Sequence, residues 1–272
     1  VKLLATDLDG TVVRRDGTMS DRTVEALHAA RAAGVHVVLV TGRPLRWLGS
    51  VRERLGDLGP VIAYNGAVLF DDSRGVVVDA AEIDAAAMRE ARERILRAAP
   101  DALFAAETLE GIVAEPGFIP AQARAGFVDA GARVSDSGLD FDAAVAQRTV
   151  KLLAKRPSGK ASEFAAVVGR AVDDVVTMTH SAFDVALLEM SAPGVDKAAR
   201  LRDFAASLGV AREDVWAFGD MPNDIPMLAW AGTGVAVGPD YQVVADAADR
   251  VVGPVHEDSV AVEIERVLKR LA

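Results

Sequence analysis

The chain has 272 residues, 51% of them apolar and 26% charged, with a formal charge of −10 and no cysteine. That length suits one large domain or two modest ones, and the apolar content excludes a disordered or fibrous chain. The acidic balance disfavours a nucleic-acid surface, no apolar run reaches the about 18 residues of a membrane span, and the missing cysteines exclude disulfides and thiolate chemistry.

Val1 to Thr6 is predicted as a buried strand that ends at Asp7-Leu8-Asp9-Gly10-Thr11, with no signal-peptide pattern before it. Ser20 is placed to cap a helix running through Val24, Leu27 and Ala30 toward Gly34. A second strand, Val35 to Val40, ends at Thr41-Gly42-Arg43; a helix over roughly 45–55 and a short strand, 61–64, lead to the turn Asn65-Gly66. Alternation of this kind predicts a Rossmann-like parallel sheet covered by helices. Residues 81–190 differ in texture, with helices near 82–99 and 120–131 and strands near 109–114, 150–155, 174–179 and 184–190. They read as an inserted α+β domain, leaving 1–80 and 191–272 as the core. The βα pattern resumes with a helix at 197–208, a strand at 215–219, a helix at 224–231, a strand at 234–237 and a terminal helix at 257–270.

Carboxylates at a strand's carboxyl end are available to chemistry, whereas inside a buried strand they are costly. Asp7 is therefore a candidate nucleophile toward phosphorus, forming an aspartyl phosphate that water then hydrolyses. Asp9 is a candidate acid and base, with neighbouring anions expected to favour its protonated form. Its backbone carbonyl, rather than its side chain, is the expected metal ligand. A second acidic strand end, Gly219-Asp220-Met221-Pro222-Asn223-Asp224, follows the apolar run Val215 to Phe218. Asp7 and Asp220 are suited to Mg²⁺, which takes oxygen ligands, with Asp224 as support. Asn223 can touch phosphate, and either Asn223 or Asp224 can instead cap the helix beginning near Ile225. Thr41 and Gly42 can grip phosphoryl oxygens, and Lys197 can neutralise both phosphate and Asp7. Thr11 and Arg43 are supporting candidates, and Arg46 reads as a surface or boundary residue. The four histidines, His28, His36, His180 and His256, lack ligand-like spacing.

The ordered set Asp7-Leu8-Asp9-Gly10-Thr11, Thr41-Gly42-Arg43, Lys197 and Gly219-Asp220-Met221-Pro222-Asn223-Asp224 resembles the haloacid dehalogenase-like superfamily. Within it the chain is similar to the Cof-type phosphatases, whose large α/β cap falls between the second and third motifs. The 156-residue step from Thr41 to Lys197 accommodates such a cap. The resemblance covers essentially the whole chain and implies a nucleophile at Asp7, an acid/base at Asp9, phosphate binding by Thr41 and Lys197, and a Mg²⁺ carboxylate at Asp220. Asn223 and Asp224 match the family's supporting polar pair, and Tyr64-Asn65-Gly66-Ala67 matches a loop near its site. One departure is Lys197-Ala198, where glycine often follows the lysine. The acidic fourth motif favours phosphomonoester hydrolysis over dehalogenation.

The expected activity is thus a Mg²⁺-dependent phosphatase acting on a small phosphorylated metabolite such as a sugar phosphate. A cytoplasmic address is expected, without a nucleic-acid, membrane or obligate protein partner. A phosphosugar mutase uses the same core chemistry, and a phospho-signalling or binding scaffold is the non-enzymatic alternative. Selectivity is expected from the insert, hinged near 78–84 and 187–193, where Arg124, Arg133, Arg148, Lys151 and Lys155 are either substrate contacts or solvated charges. Phe118, Phe127 and Phe141 read as its core.

Overall fold

A computed structural model describes residues 1–57, 59–120, 148–181 and 185–271. The helix expected near 120–131, with Arg124, Arg133, Phe127 and Phe141, lies outside the described residues. In chain order the strands are β1 (Leu3–Thr6), β2 (His36–Val40), β3 (Pro60–Ala63), β4 (Val68–Asp71), β5 (Val76–Ala80), β6 (Leu103–Thr108), β7 (Ile112–Ala114), β8 (Thr149–Lys155), β9 (Thr177–Thr179), β10 (Leu187–Ser191), β11 (Val215–Gly219), β12 (Thr233–Val237) and β13 (Arg250–Val252). The chain forms two compact units, one of residues 1–43, 48–79 and 196–272 and the other of residues 44–47 and 80–195.

The first unit is built on an eight-stranded sheet in the order β13-β12-β11-β1-β2-β3-β4-β5. From β13 to β3 every pairing is parallel. Parallel strands covered on both faces carry unbroken apolar runs, as in Val37 to Val40. Alternation along β1 and β2 sends Leu3, Ala5, Val38 and Val40 into one core with Leu201 and Phe204 of the helix Lys197–Ser207 and Met227 and Leu228 of the helix Ile225–Trp230. The helix Asp21–Ala32 contacts β2 and the terminal helix Ser259–Leu271. Ser20 caps the former, its Oγ accepting from the Thr23 N–H at 3.1 Å.

The sheet is mixed rather than wholly parallel, because β4 runs antiparallel to β3. Only Tyr64–Ala67 separates the two strands, and a parallel return needs a crossover of about a dozen residues or more. The single helix expected over 45–55 is a short 3₁₀ turn, Leu45–Trp47, followed by the helix Gly49–Leu55.

The second unit is an α+β insert whose sheet has the order β7-β6-β8-β10-β9, its pairings antiparallel. Phe104, Leu152, Ala154, Leu188 and Met190 point to one face, where Met88, Ala91 and Ile95 of the helix Ala85–Ala98 and Phe164 and Val168 of the helix Ala161–Val172 cover them. Residues of the opposite parity include Ala105 and Leu153, which join a smaller cluster with Ile112, Ala114 and Phe118. Lys151 and Glu189 share that parity and form a buried ion pair. Arg46 falls in the boundary segment 44–47, as expected, but is not a solvated surface group: its side chain is 11% exposed and grips Glu107 through two bonds, at 2.7 and 2.8 Å. Arg148 is a solvated charge, its side chain 72% exposed and paired with Glu82 at the surface, whereas Lys155 is half-buried and donates to the Phe118 carbonyl.

Candidate active site

The chain leaves β2 on one side of β1 and leaves β11 on the other, and a crevice opens beyond such a switch in strand order. Register puts Thr6 level with both Leu39 and Phe218, so Asp7, Thr41 and Asp220 emerge from three adjacent strand ends. The Asp7 N–H donates to the Phe218 carbonyl at 2.9 Å, which fixes the point where β1 gives way to the loop. The Leu8 carbonyl then accepts from Thr11, Val12 and Val13, turning the chain back on itself. Thr11 Oγ1 thereby reaches Asp220 Oδ1 at 3.0 Å. Gly10 has φ +82°, and a Cβ there would stand 2.0 Å from Asp220 Oδ2, so only glycine fits both the backbone and the approach.

Lys197 is the first residue of its helix and is 1% exposed. Its Nζ donates to Asp7 Oδ1 and to Asp224 Oδ1, both at 2.6 Å. Asp224 Oδ2 accepts from the N–H groups of Asp220 and Met221, each at 3.0 Å. Both oxygens of Asp224 are thus engaged, and no side chain caps the helix Ile225–Trp230. Neither Asn223 nor Asp224 caps that helix; Asp224 instead closes a capping box on the 3₁₀ turn before it, Pro222–Asp224, and braces the β11 loop against the lysine.

Asp7, Asp220 and Asp224 each offer an oxygen within 4.8 Å of the others, and all three are buried. Burial first, then the charges of Asp224 and Asp9, push the Asp7 carboxyl up to about 7 against the opposing pull of Lys197. Burial and the charge of Asp7 push Asp220 up to about 9. Burial would depress the Lys197 ammonium, but Asp224 and Asp7 overcome it and raise its pKa. With all three carboxylates ionised, one ammonium would leave two negative charges uncompensated in a buried place, and protons take up that deficit where no cation is bound. A divalent cation with oxygen ligands fits that donor set and that deficit.

Asp9 stands apart from this cluster. Its side chain is 60% exposed and lies against Arg43, which donates from Nε at 2.8 Å and Nη2 at 2.5 Å. The charge in direct contact with it is the Arg43 cation, while the expected anionic neighbour, Asp7, is close enough for the two carboxylates to repel. The Arg43 N–H donates to Thr41 Oγ1 at 3.0 Å, leaving the threonine's own hydrogen able to turn toward a ligand. Asn223 Nδ2 donates to Asn65 Oδ1 at 3.1 Å, and Asn65 N–H donates to the Thr41 carbonyl at 3.0 Å. The sequence marks Asn65-Gly66 as a turn, and places it near the site only through the resemblance. Its signal is geometric: Tyr64 and Asn65 both have positive φ, 51° and 56°, and such non-glycine conformations cost about 1–3 kcal/mol each. Gly66 (φ +103°) follows, where a Cβ would stand 2.1 Å from the Asp196 carbonyl oxygen.

A Rossmann-like core with buried carboxylates and a lysine gathered at its strand ends defines a class of hydrolase built on a parallel sheet. Residues 4–264 match the haloacid dehalogenase-like hydrolases, and the chain belongs to that family. It is 28% identical to the phosphoglycolate phosphatase of Methanothermobacter thermautotrophicus, over 98% of this chain and 99% of that protein. It is 27% identical to the pyridoxal phosphate phosphatase YbhA of Escherichia coli, over 96% of each. A haloacid dehalogenase-like hydrolase from Bacteroides thetaiotaomicron superposes with a TM-score of 0.76 at 26% identity, covering 98% of this chain and 99% of that one. Family and fold together support hydrolase or phosphotransferase activity on a small molecule. Among the described residues, no helix is long and apolar enough to cross a membrane.

Proposed function

We propose that the chain is a Mg²⁺-dependent phosphomonoester hydrolase that works through an aspartyl phosphate on Asp7. The observation that carries this reading is the buried chain Asp7–Lys197–Asp224 beside Asp220, one cation among three carboxylates. Asp7, Asp220 and the Asp9 backbone carbonyl would hold the Mg²⁺, which when bound supplies positive charge to the phosphoryl oxygens.

Lys197 holds Asp7 Oδ1, so the other carboxylate oxygen is the one free to attack phosphorus. That bond forms as the ester P–O bond breaks, and the leaving alkoxide takes a proton from Asp9. Water then attacks the phosphorus of the aspartyl phosphate and gives its proton to Asp9, restoring both residues. Well-placed proton transfer of this kind contributes about 10²–10⁴ in rate. Since Arg43 occupies both Asp9 oxygens, this role requires the pair to open, and an incoming phosphate dianion competes for the guanidinium. The Thr41 hydroxyl, the Gly42 backbone, Lys197 and Asn223 are assigned to the non-bridging oxygens.

Small phosphorylated metabolites are the proposed substrates. Relatives named for phosphoglycolate and for pyridoxal phosphate share the phosphomonoester and differ in the organic half, which supports the class rather than one member. The test is rapid quenching with a panel of phosphorylated metabolites and Mg²⁺, followed by mass spectrometry of the peptide carrying Asp7. Transient phosphate on Asp7, free phosphate in solution and no turnover by a folded Asp7→Asn variant are expected. Label found reproducibly on another residue would overturn the assignment, and isomerised ester without phosphate release would make the protein a mutase.

A further inference from the structure

Resting on that phosphatase reading, we propose that Asn65 is a positioning residue that fixes the Asn223 carboxamide and the Thr41–Gly42 loop around a bound phosphoryl group. Asn65 is 2% exposed and lies in the turn after β3, while the groups it organises follow β2 and β11. Its N–H donates to the Thr41 carbonyl at 3.0 Å, and the N–H of Tyr64 beside it donates to the Arg43 carbonyl at 3.2 Å. The backbone of this turn is therefore a template for the segment assigned to the phosphoryl oxygens. The side chain reaches the other way, its Oδ1 accepting from Asn223 Nδ2 at 3.1 Å across 158 residues of sequence. The same Oδ1 lies 2.9 Å from where a Cβ on Gly42 would stand, so it packs directly against the loop.

A carboxamide has two faces of similar shape and opposite hydrogen-bonding character. Asn65 Oδ1 can only accept, so it selects the Nδ2 end of Asn223 and fixes which way that amide points. Asn223 Oδ1 is then left buried without a hydrogen-bond partner. An unsatisfied buried acceptor is costly unless water at the site donates to it, and a phosphoryl oxygen, itself an acceptor, can be met only by the second Nδ2 hydrogen. Asparagine suits position 65 twice, since it tolerates the left-handed backbone and carries the acceptor.

The test uses Asn65→Gly, because glycine adopts a φ of 56° without strain and so removes the amide while keeping the turn. Thermal melting verifies folding, calorimetry measures inorganic phosphate binding with Mg²⁺ present, and steady-state kinetics use p-nitrophenyl phosphate. With an unchanged melt, kcat should fall about 10- to 100-fold, as expected for a displaced positioning contact. The phosphate Kd should rise about tenfold, equivalent to one lost polar contact. In the double variant Asn65→Gly/Asn223→Ala the losses should be less than multiplicative, since Asn65 acts in part through Asn223. Wild-type kcat and phosphate affinity in a well-folded Asn65→Gly protein would overturn the proposal, as would losses that multiply in the double variant. If the wild-type protein hydrolyses no ester, the phosphatase reading fails, and the change in phosphate Kd still decides the role of Asn65. Failure of the wild-type protein to bind phosphate would overturn both.

Discussion

Lys197 lies between two carboxylates with its ammonium sealed from solvent, so its contribution depends on what its removal strands. A lysine at a helix start is usually a solvated group, and nothing in Lys197-Ala198 announces burial. Replacing it with methionine keeps the apolar stem and leaves Asp7 and Asp224 facing each other without a cation. Breaking one side of a buried ion pair costs about 3–5 kcal/mol. Lys197→Met should therefore lose stability of that order in metal-free urea titrations near pH 8. The loss should shrink near pH 5, where the stranded carboxylates can take up protons. A pH-independent cost of less than about 1 kcal/mol, the range of an exposed pair, would show that the lysine is not paired as described. Asp9 and Arg43 make the opposite case, since their pair is open to solvent on the aspartate side and can exchange partners when a phosphate arrives.

At the scale of elements, local chemistry accounts for what could be read from sequence. Ser20 announces its helix because an N-terminal N–H needs an acceptor, and the Oγ bond to Thr23 supplies one. Ser20→Ala should cost about 1 kcal/mol, and Ser20→Asp should recover most of it, as read by chemical denaturation. An alanine variant as stable as the wild type would mean that the cap contributes nothing. The strand ends carrying Asp7, Thr41 and Asp220 were equally legible, because buried parallel strands show as apolar runs and polar residues mark where they stop. The β4 and β5 strands were missed although Val68-Leu69-Phe70 and Val76-Val77-Val78 flank a turn-forming stretch. The sheet's switch to antiparallel pairing follows from the length of the Tyr64–Ala67 link, not from any hydrophobic period. Lys151, which reads as a substrate contact or a solvated charge, pairs instead with Glu189, because a charge that finds its partner across a fold has the same local sequence signature as a solvated one.

At the scale of the whole molecule, the excess of buried negative charge should be visible as a link between proton binding, metal binding and stability. Folding raises Asp7 to about 7 and Asp220 to about 9 from an ordinary value of 3.8. Between about pH 4 and pH 9 the folded protein then binds more protons at these sites than the unfolded chain does, so stability falls as pH rises. Lys197 adds no slope of its own here, because its ammonium stays protonated in both folded and unfolded states below the unfolded lysine value of about 10.4; its effect enters through the carboxylates it pairs with. A divalent cation held only by the folded state replaces the protons and adds stability, about 2.7 kcal/mol at a hundred times its Kd. Metal-free protein should therefore lose Tm steadily from pH 5 to pH 9. Saturating Mg²⁺ should raise Tm, and more at pH 8 than at pH 5, where protons compete with the metal. The chain's net charge of −10 supplies a general repulsion that also responds to salt, so matched ionic strength is the necessary control. Asp220→Asn separates the local effect from the general one: it removes the group with the higher of the two raised pKa values and leaves the rest of the surface unchanged. That variant should show a flatter metal-free Tm profile, greater metal-free stability at pH 8 and little rise with Mg²⁺. If its pH slope and its Mg²⁺ response match those of the wild type, the buried carboxylates neither set the pH dependence nor hold the cation.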